Sequence, residues 1–233
     1  MKRFATFGLA LALVVGLALL PARSAQAQGA GMISSILNRM ERNRRETRSL
    51  RAGLTMQKYN SQLKDFDMAQ GSVAYLPGAG RNANVRVDWT KPARQTLSVL
   101  GDQFTLFTPR LNQAIQGSAR SSKHAKSSGV LSLALTASAA QLKSQYNVEL
   151  AGEGTLYDGG PHVWMLKLTP RGAGSFQFAE IWVDDGGMPV QTRVTERNGD
   201  STLVRLTGIQ KNAPVTKADI EVQLPAGVKI VKG

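Results

Sequence analysis

The sequence predicts an α+β fold that is mainly β, in which one strongly curved antiparallel sheet, or an incomplete barrel, carries one or two packed helices. Three observations predict this fold. One amphipathic helical pattern precedes ten or more short alternating runs, and Gly, Pro, Asn and Asp separate those runs. The chain has no cysteine, so burial and hydrogen bonds have to stabilise the fold without disulfides.

Residues 1–27 are predicted to be a signal peptide. Lys2 and Arg3 give the positive start, residues 4–20 are almost wholly apolar, and Ala25-Gln26-Ala27 has the small-residue pattern of a cleavage site. A retained membrane anchor is the alternative, but the apolar run is short for a span. We therefore expect a periplasmic protein that is cleaved near Ala27, with residues 28–233 as a single domain. No cysteine is present for lipidation.

The charge of the chain favours anionic partners. Removal of Lys2, Arg3 and Arg23 with the signal peptide lowers the formal net charge from +13 to +10. Outside the cytoplasm, anionic partners are phospholipid, lipopolysaccharide or acidic proteins. Six arginines cluster between residues 39 and 51, a pattern typical of a solvated helix face, and no nucleic-acid motif accompanies them. We expect a monomer that makes transient contact with a membrane surface and binds no nucleic acid.

The first predicted element is a helix over residues 31–47. Its apolar side chains recur at i, i+3, i+4 and i+7 and so share one face, while the opposite face is arginine and glutamate. The apolar residues are Ile33, Ile36, Leu37 and Met40.

Alternation of apolar and polar residues then predicts successive antiparallel strands. The first five cover residues 54–59, 71–76, 84–89, 95–100 and 103–108. A loop is predicted at residues 77–80, a tight turn at Gly101-Asp102, and a mobile basic loop at residues 118–129.

Residues 130–142 have two interpretations. Their length and alanine content favour a helix, whereas the alternation of Leu131, Leu133 and Leu135 would also suit a strand. Strands resume at residues 146–150, 162–169, 175–183, 189–196, 201–210 and 219–223. Asn198-Gly199-Asp200 predicts a hairpin turn, because Asn and Gly tolerate the positive φ that such turns require.

Catalytic chemistry is hard to assemble from these residues. The chain has no thiol, and His124 and His162 are its two imidazoles, which disfavours a zinc site or a nucleophile–base pair. Asp184-Asp185-Gly186-Gly187 lacks the ligand spacing of a calcium loop and predicts a hairpin connection instead. We therefore expect a protein that is not an enzyme and that has no cofactor or metal.

Several strands are apolar on both faces. Val85, Val87 and Trp89 share one face of their strand, with Arg86 and Asp88 on the other. Apolar residues also alternate onto both faces of the runs at 163–168 and 176–183. Either the sheet is sandwiched between other layers, or its concave face encloses an apolar cavity covered by the helices.

The order of these motifs resembles the LolA-like family of periplasmic lipoprotein carriers. The resemblance covers nearly all of residues 28–233 and rests on the order and spacing of the motifs. They are VRVDWTKP at 85–92, the strand–turn–strand of 97–109, WMLKLTP at 164–170, IWVD at 181–184, GMPV at 187–190, NGDST at 198–202 and LPAGV at 224–228.

The resemblance implies a half-open antiparallel β-barrel in which helices lid a hydrophobic cavity for the acyl chains of a lipoprotein or lipid. Carriers of the family take lipoproteins from an inner-membrane release complex to an outer-membrane acceptor without a cofactor. The cavity-wall candidates are Val85, Val87, Trp89, Leu97, Val99, Phe104 and Leu106. The lid candidates are Ile33, Ile36, Leu37, Met40, Leu131, Leu133 and Leu135. A functional arginine of the family corresponds to Arg81, or to Arg86 in another register.

Two departures from known carriers leave the cargo open. They are the long basic loop at residues 118–129 and the high positive charge. A carrier of anionic lipid or glycolipid is one alternative, and a sensor that uses the same scaffold to regulate a membrane partner is another.

Overall fold

The computed structural model describes residues 24–78, 83–119, 135–172, 174 and 176–233. The helices there are α1 (Ser24–Glu46), α2 (Ala139–Gln145) and α3 (Lys217–Ile220), with a 3-10 turn at Pro109–Leu111. The strands are β1 (Leu50–Asn60), β2 (Asp65–Pro77), β3 (Ala83–Lys91), β4 (Gln95–Leu100), β5 (Gln103–Thr108), β6 (Gln113–Ser118), β7 (Tyr146–Thr155), β8 (His162–Pro170), β9 (Phe178–Asp184), β10 (Pro189–Thr195), β11 (Ser201–Lys211) and β12 (Lys229–Lys232).

These strands form one sheet in the order β12-β6-β5-β4-β3-β2-β1-β11-β10-β9-β8-β7. Neighbouring strands are antiparallel, except that β12 pairs in parallel with β6. The edge strands β7 and β12 do not pair with each other, so the sheet is not closed into a barrel. Register shifts in the pairs β1–β11, β2–β3, β7–β8 and β9–β10 mark bulges, which bend strands and increase their twist. The predicted mainly-β fold with a half-open barrel is confirmed.

Most of the predicted elements are present. Strands β4 and β5 have the predicted bounds, and α1 begins seven residues before residue 31. The turn at Asn198-Gly199-Asp200 connects β10 to β11, with Gly199 at φ 87°. Within the predicted helix 130–142, residues 135–136 and 139–142 are helical, which favours the helical interpretation over the strand. The helix is interrupted at Ser138, whose side chain accepts a hydrogen bond from the Gln141 backbone and caps α2.

Three strand assignments differ from the sequence prediction. The predicted strand at 219–223 is wrong, because Thr216 and Asp219 form a reciprocal capping box that begins α3. Strands β6 and β12 were not predicted. β12 is four residues long and is formed by pairing with β6, so its own sequence carries little alternation.

The buried side chains form two clusters on the sheet. The first, here called the wall cluster, combines side chains from β1 to β5 and from β10 and β11 with Leu135, Val163 of β8 and Met188. The second, here called the helix cluster, packs α1 and α2 on β8 and β9. Its members are Ile36, Leu37, Met40, Leu142, Trp164, Leu166, Leu168, Ala179, Ile181 and Val183.

The turn between β9 and β10 holds α1 close to the sheet. A Cβ atom on Gly187 would overlap the backbone carbonyl of Arg39, and Gly187 has φ 83°. Only glycine accommodates both the close approach and the left-handed backbone. The next residue, Met188, is buried, and its sulfur accepts a hydrogen bond from Asn43 Nδ2 at 3.1 Å.

None of the helices in the described part of the chain has the length and apolar character needed to cross a bilayer.

Candidate functional site

The cavity-wall candidates lie together on three adjacent strands. Val85 pairs with Val99, Val87 with Leu97, and Val99 with Phe104, so these five side chains share one face of the sheet. Each is between 1% and 7% exposed and belongs to the wall cluster. Trp89 and Leu106 are partly buried and pack against the same cluster. The alternation seen in the sequence therefore placed these residues on one apolar surface.

The described lid candidates are divided between the two clusters. Ile36, Leu37 and Met40 are buried against β8 and β9 in the helix cluster, and Ile33 packs at its margin. Leu135 instead lies in the wall cluster, where it is 7% exposed. Leu131 and Leu133 lie outside the described residues. Thus the apolar side chains of α1 pack in the helix cluster, and Leu135 is the described lid candidate that packs in the wall cluster.

The two clusters meet at a small cavity of about 10 Å³. It is lined by Met40, Asn43, Arg44, Thr47, Tyr75, Leu135, Ala137, Met188 and Pro189. This space is about that of one water molecule, which is far too little for an acyl chain. In this conformation the junction between α1, Leu135 and the sheet is closed.

A carboxylate joins the two helices at this junction. Glu41 accepts hydrogen bonds from Arg44 Nη2 at 2.7 Å, from Arg45 Nε at 2.8 Å and from the Ala139 backbone N–H at 3.3 Å. Mainly the Arg44 hydrogen bond, with support from Arg45 and Ala139 and against the effect of desolvation, lowers the pKa of Glu41 from 4.5 to about 2. Glu41 therefore stays ionised and connects α1 to the first turn of α2.

A buried amide fixes the end of α1. Asn43 Oδ1 accepts a hydrogen bond from Lys211 Nζ at 2.7 Å, while its Nδ2 reaches Met188. Thr47, one turn later, donates from its hydroxyl to the Asn43 carbonyl at 2.7 Å. Sequence reasoning missed Asn43. It follows Met40 by three residues and so continues the apolar face, and a polar residue at such a position was the signal for a buried hydrogen-bonded role.

The two transfer candidates have different positions. Arg81 lies outside the described residues. Arg86 points to the face of the sheet opposite the wall cluster, where its guanidinium binds Asp88 at 2.8 Å and donates to the Glu221 carbonyl at 2.8 Å. There it ties the segment after α3 to β3. It also borders an open polar groove of about 540 Å³ on that face, between the sheet and α3.

His162 belongs to no metal site among the described residues. His162 Nδ1 lies 3.0 Å from Asp185 Oδ1, and its ring stands edge-on to Trp164. Arg39 stacks on the Trp164 ring, with its guanidinium carbon 4.1 Å from the ring centre. No group of three His, Asp or Glu side chains in the described ranges is placed to hold a metal ion. His124 and most of the loop at 118–129 lie outside them.

The sequence model of one protein family matches residues 57–220 of the chain, and its description is "Outer membrane lipoprotein carrier protein LolA". The match begins within β1 and includes β2 to β11, but it does not include α1. No curated protein sequence matches the chain.

Solved structures share the fold at low sequence identity. An uncharacterised conserved protein from Thermus thermophilus is 18% identical with a TM-score of 0.54, and the alignment covers 86% of this chain and 98% of that one. MucB is 16% identical with a TM-score of 0.55, and the alignment covers 87% of this chain and 66% of the MucB chain.

Proposed function

The chain belongs to the LolA family of outer membrane lipoprotein carrier proteins, and we propose that it is an exported, periplasmic carrier. In this proposal it binds the acyl chains of a lipoprotein against the wall cluster and moves them from the inner to the outer membrane. It is not an enzyme and uses no cofactor. A release complex in the inner membrane and an acceptor in the outer membrane are its expected partners.

The observation that carries the proposal is the shared apolar surface of three neighbouring strands. Val85, Val87, Leu97, Val99 and Phe104 come from β3, β4 and β5 and belong to one buried cluster. An acyl chain needs a continuous apolar surface, because burial contributes about 0.8 kcal/mol for each methylene group. Leu135 packs on this surface, so a chain that binds there has to displace it.

Closure of the site gives a carrier a means of release. A chain of about 14 methylenes would gain about 11 kcal/mol from complete burial. Opening the closed junction costs part of this free energy, which leaves an affinity low enough for transfer. Arg81 remains the candidate for the transfer step, and we expect Arg81→Leu to load normally but to hand over cargo more slowly.

Binding of a fluorescent fatty-acid analogue tests the wall assignment. We expect Val87→Glu to abolish binding, because a carboxylate on this surface would be desolvated by the probe. Arg110→Glu changes an exposed residue of the 3-10 turn and should bind like the unmodified protein. If both variants bind with the unmodified affinity, the wall assignment is wrong.

A second, milder pair of variants controls for misfolding. Val87→Thr and Val183→Thr make the same isosteric change at two buried positions, one in the wall cluster and one in the helix cluster. Both variants should lose similar thermal stability, but only Val87→Thr should lower the affinity for the fatty-acid probe, by about tenfold. Equal effects on binding would refute the assignment.

The cargo is identified by gentle mass spectrometry of the protein purified from the periplasm of its own host. Bound triacylated protein supports the lipoprotein carrier. Free phospholipid or glycolipid would replace it with a lipid carrier, and an empty chain with a tightly held protein partner would replace it with a sensor.

A further inference from the structure

The exposed side of α1, opposite the helix cluster, carries arginines. Asn38, Arg42 and Arg45 recur at i, i+4 and i+7, so they share the side of the helix opposite Ile36 and Leu37. Arg48 lies two residues after the end of the helix and is exposed like Arg42. We call Arg42, Arg45 and Arg48 the arginine face.

Few carboxylates neutralise this surface. Residues 24–51 contain six arginines but only two acids, Glu41 and Glu46. Glu41 is already bound by Arg44 and Arg45, and Glu46 lies 3.5 Å from Lys211. Arg45 nevertheless stays 73% exposed. The side chains of Arg42 and Arg48 make no hydrogen bond or ion pair with any residue that the structure describes.

The positive charge is concentrated at one end of the helix. Gly31, Ser34 and Ser35 occupy the preceding turns on the same side and carry no charge. A shallow open groove of about 660 Å³ runs along these residues to Arg42 and Arg45, which are open to solvent there; Asn38 and Glu41 also line it. Long exposed guanidinium groups in this arrangement suit a broad anionic surface that offers many phosphates.

We propose that the arginine face is the surface through which this protein docks on an anionic phospholipid bilayer. The negative surface potential of such a bilayer attracts nearby cations. Each arginine held near the surface raises the partition coefficient of the protein roughly fivefold. The contact lies opposite the apolar side of α1, so docking leaves Ile36 and Leu37 packed on the sheet. The arginine face would be the place where the proposed carrier meets a membrane, and only this biological role rests on the proposed function. The contact itself requires no cargo.

Co-flotation with vesicles tests the docking surface. The protein, purified from the periplasm of its host, is mixed at low salt with phosphatidylcholine vesicles that contain about 30% phosphatidylglycerol, and with vesicles of phosphatidylcholine alone. We expect binding to the anionic vesicles, little binding to the neutral ones, and weakening by salt. R42Q/R48Q removes two positive charges from the arginine face and should lower the partition coefficient roughly 25-fold.

The matched control removes the same charge elsewhere. R110Q/R197Q changes two exposed arginines, one on the 3-10 turn and one in the turn after β10, and should retain most of the binding. An equal loss in both double variants would overturn the proposal in favour of diffuse attraction by the net charge.

Two other outcomes would also overturn the docking proposal. One is equal binding of the protein to neutral and anionic vesicles. The other is that the protein does not bind anionic vesicles and instead captures an acidic protein partner. Fatty-acid binding by R42Q/R48Q separates this proposal from the proposed function. It should stay unchanged if docking and the acyl site are distinct.

Discussion

Replacing Leu135 by alanine should make the acyl site easier to enter. Leu135 is 7% exposed and packs in the wall cluster with Val87 and Phe104. Truncation of a buried leucine to alanine costs about 2–5 kcal/mol, and we take about 3 kcal/mol here. This loss falls on the closed state, in which the leucine fills the site.

The gain in probe affinity has an upper limit set by that cost. If the whole of about 3 kcal/mol were recovered on binding, the affinity would rise by about 100-fold. We expect about tenfold, because the bound chain also loses its contact with the leucine. The assay is titration with a fluorescent fatty-acid analogue, together with thermal unfolding, whose midpoint should fall by about 6–12 °C for a domain of this size.

Leu142→Ala is the matched control. Leu142 is 1% exposed but belongs to the helix cluster, so the same truncation should lower stability by a similar amount. Its probe affinity should stay within about twofold of the unmodified protein. If Leu142→Ala raises the affinity as much as Leu135→Ala does, general loosening explains the gain and the two-cluster reasoning fails.

Three further predictions concern the framework around the site. The pKa of Glu41 is lowered to about 2, so the stability that its ionised form contributes is present above about pH 4.5 and is lost as the pH falls toward 2. Glu41→Gln should therefore lower the unfolding free energy at pH 7 by about 2 kcal/mol, after allowance for solvent screening. It should also flatten the acid limb of a curve of stability against pH. Gly187→Ala should lower the unfolding free energy by about 3 kcal/mol through the clash with α1, whereas Gly186→Ala, which has an ordinary φ and a nearest contact of 3.3 Å, should cost less than about 1 kcal/mol, as chemical denaturation can measure. Arg86→Leu should lower stability by about 1 kcal/mol and leave cargo hand-over unchanged in a transfer assay; a slowed hand-over with normal stability would show that Arg86 takes part in transfer.

The sequence predicted which faces are buried better than it predicted what covers them. Period-two alternation placed Val85 and Val87 on one side of β3, and helical periodicity placed Ile36 and Leu37 on one side of α1. Neither pattern contains the strand order. Strand β11 inserts between β1 and β10, and α1 packs on β8 and β9, so the partner of its apolar face is decided by long-range pairing.

Local chemistry accounts for the prediction that was wrong. Residues 219–223 alternate well enough for a strand, but Thr216 and Asp219 satisfy each other's backbone donors and begin α3 instead. Asn43 shows the opposite case, since its helix was predicted correctly. Its hydrogen bonds to Lys211 and Met188 depend on residues more than 140 positions away and could not be read locally.

The division of the core into two clusters has a consequence for carriage of a lipid. Burial of Ile36, Leu37 and Met40 contributes about 5–9 kcal/mol to holding α1 on β8 and β9, which is too much to lose at every loading event. Leu135, at about 3 kcal/mol, is a far smaller obstacle. An acyl chain that enters by displacing Leu135 and leaves α1 packed on the sheet therefore keeps most of its burial free energy. The cost of displacing Leu135 nevertheless makes its binding about 100-fold weaker than binding to an open surface. Loading by this route predicts that a disulfide or crosslink fixing α1 to β9 still permits acyl binding, whereas one that fixes the Leu135 segment to β4 abolishes it.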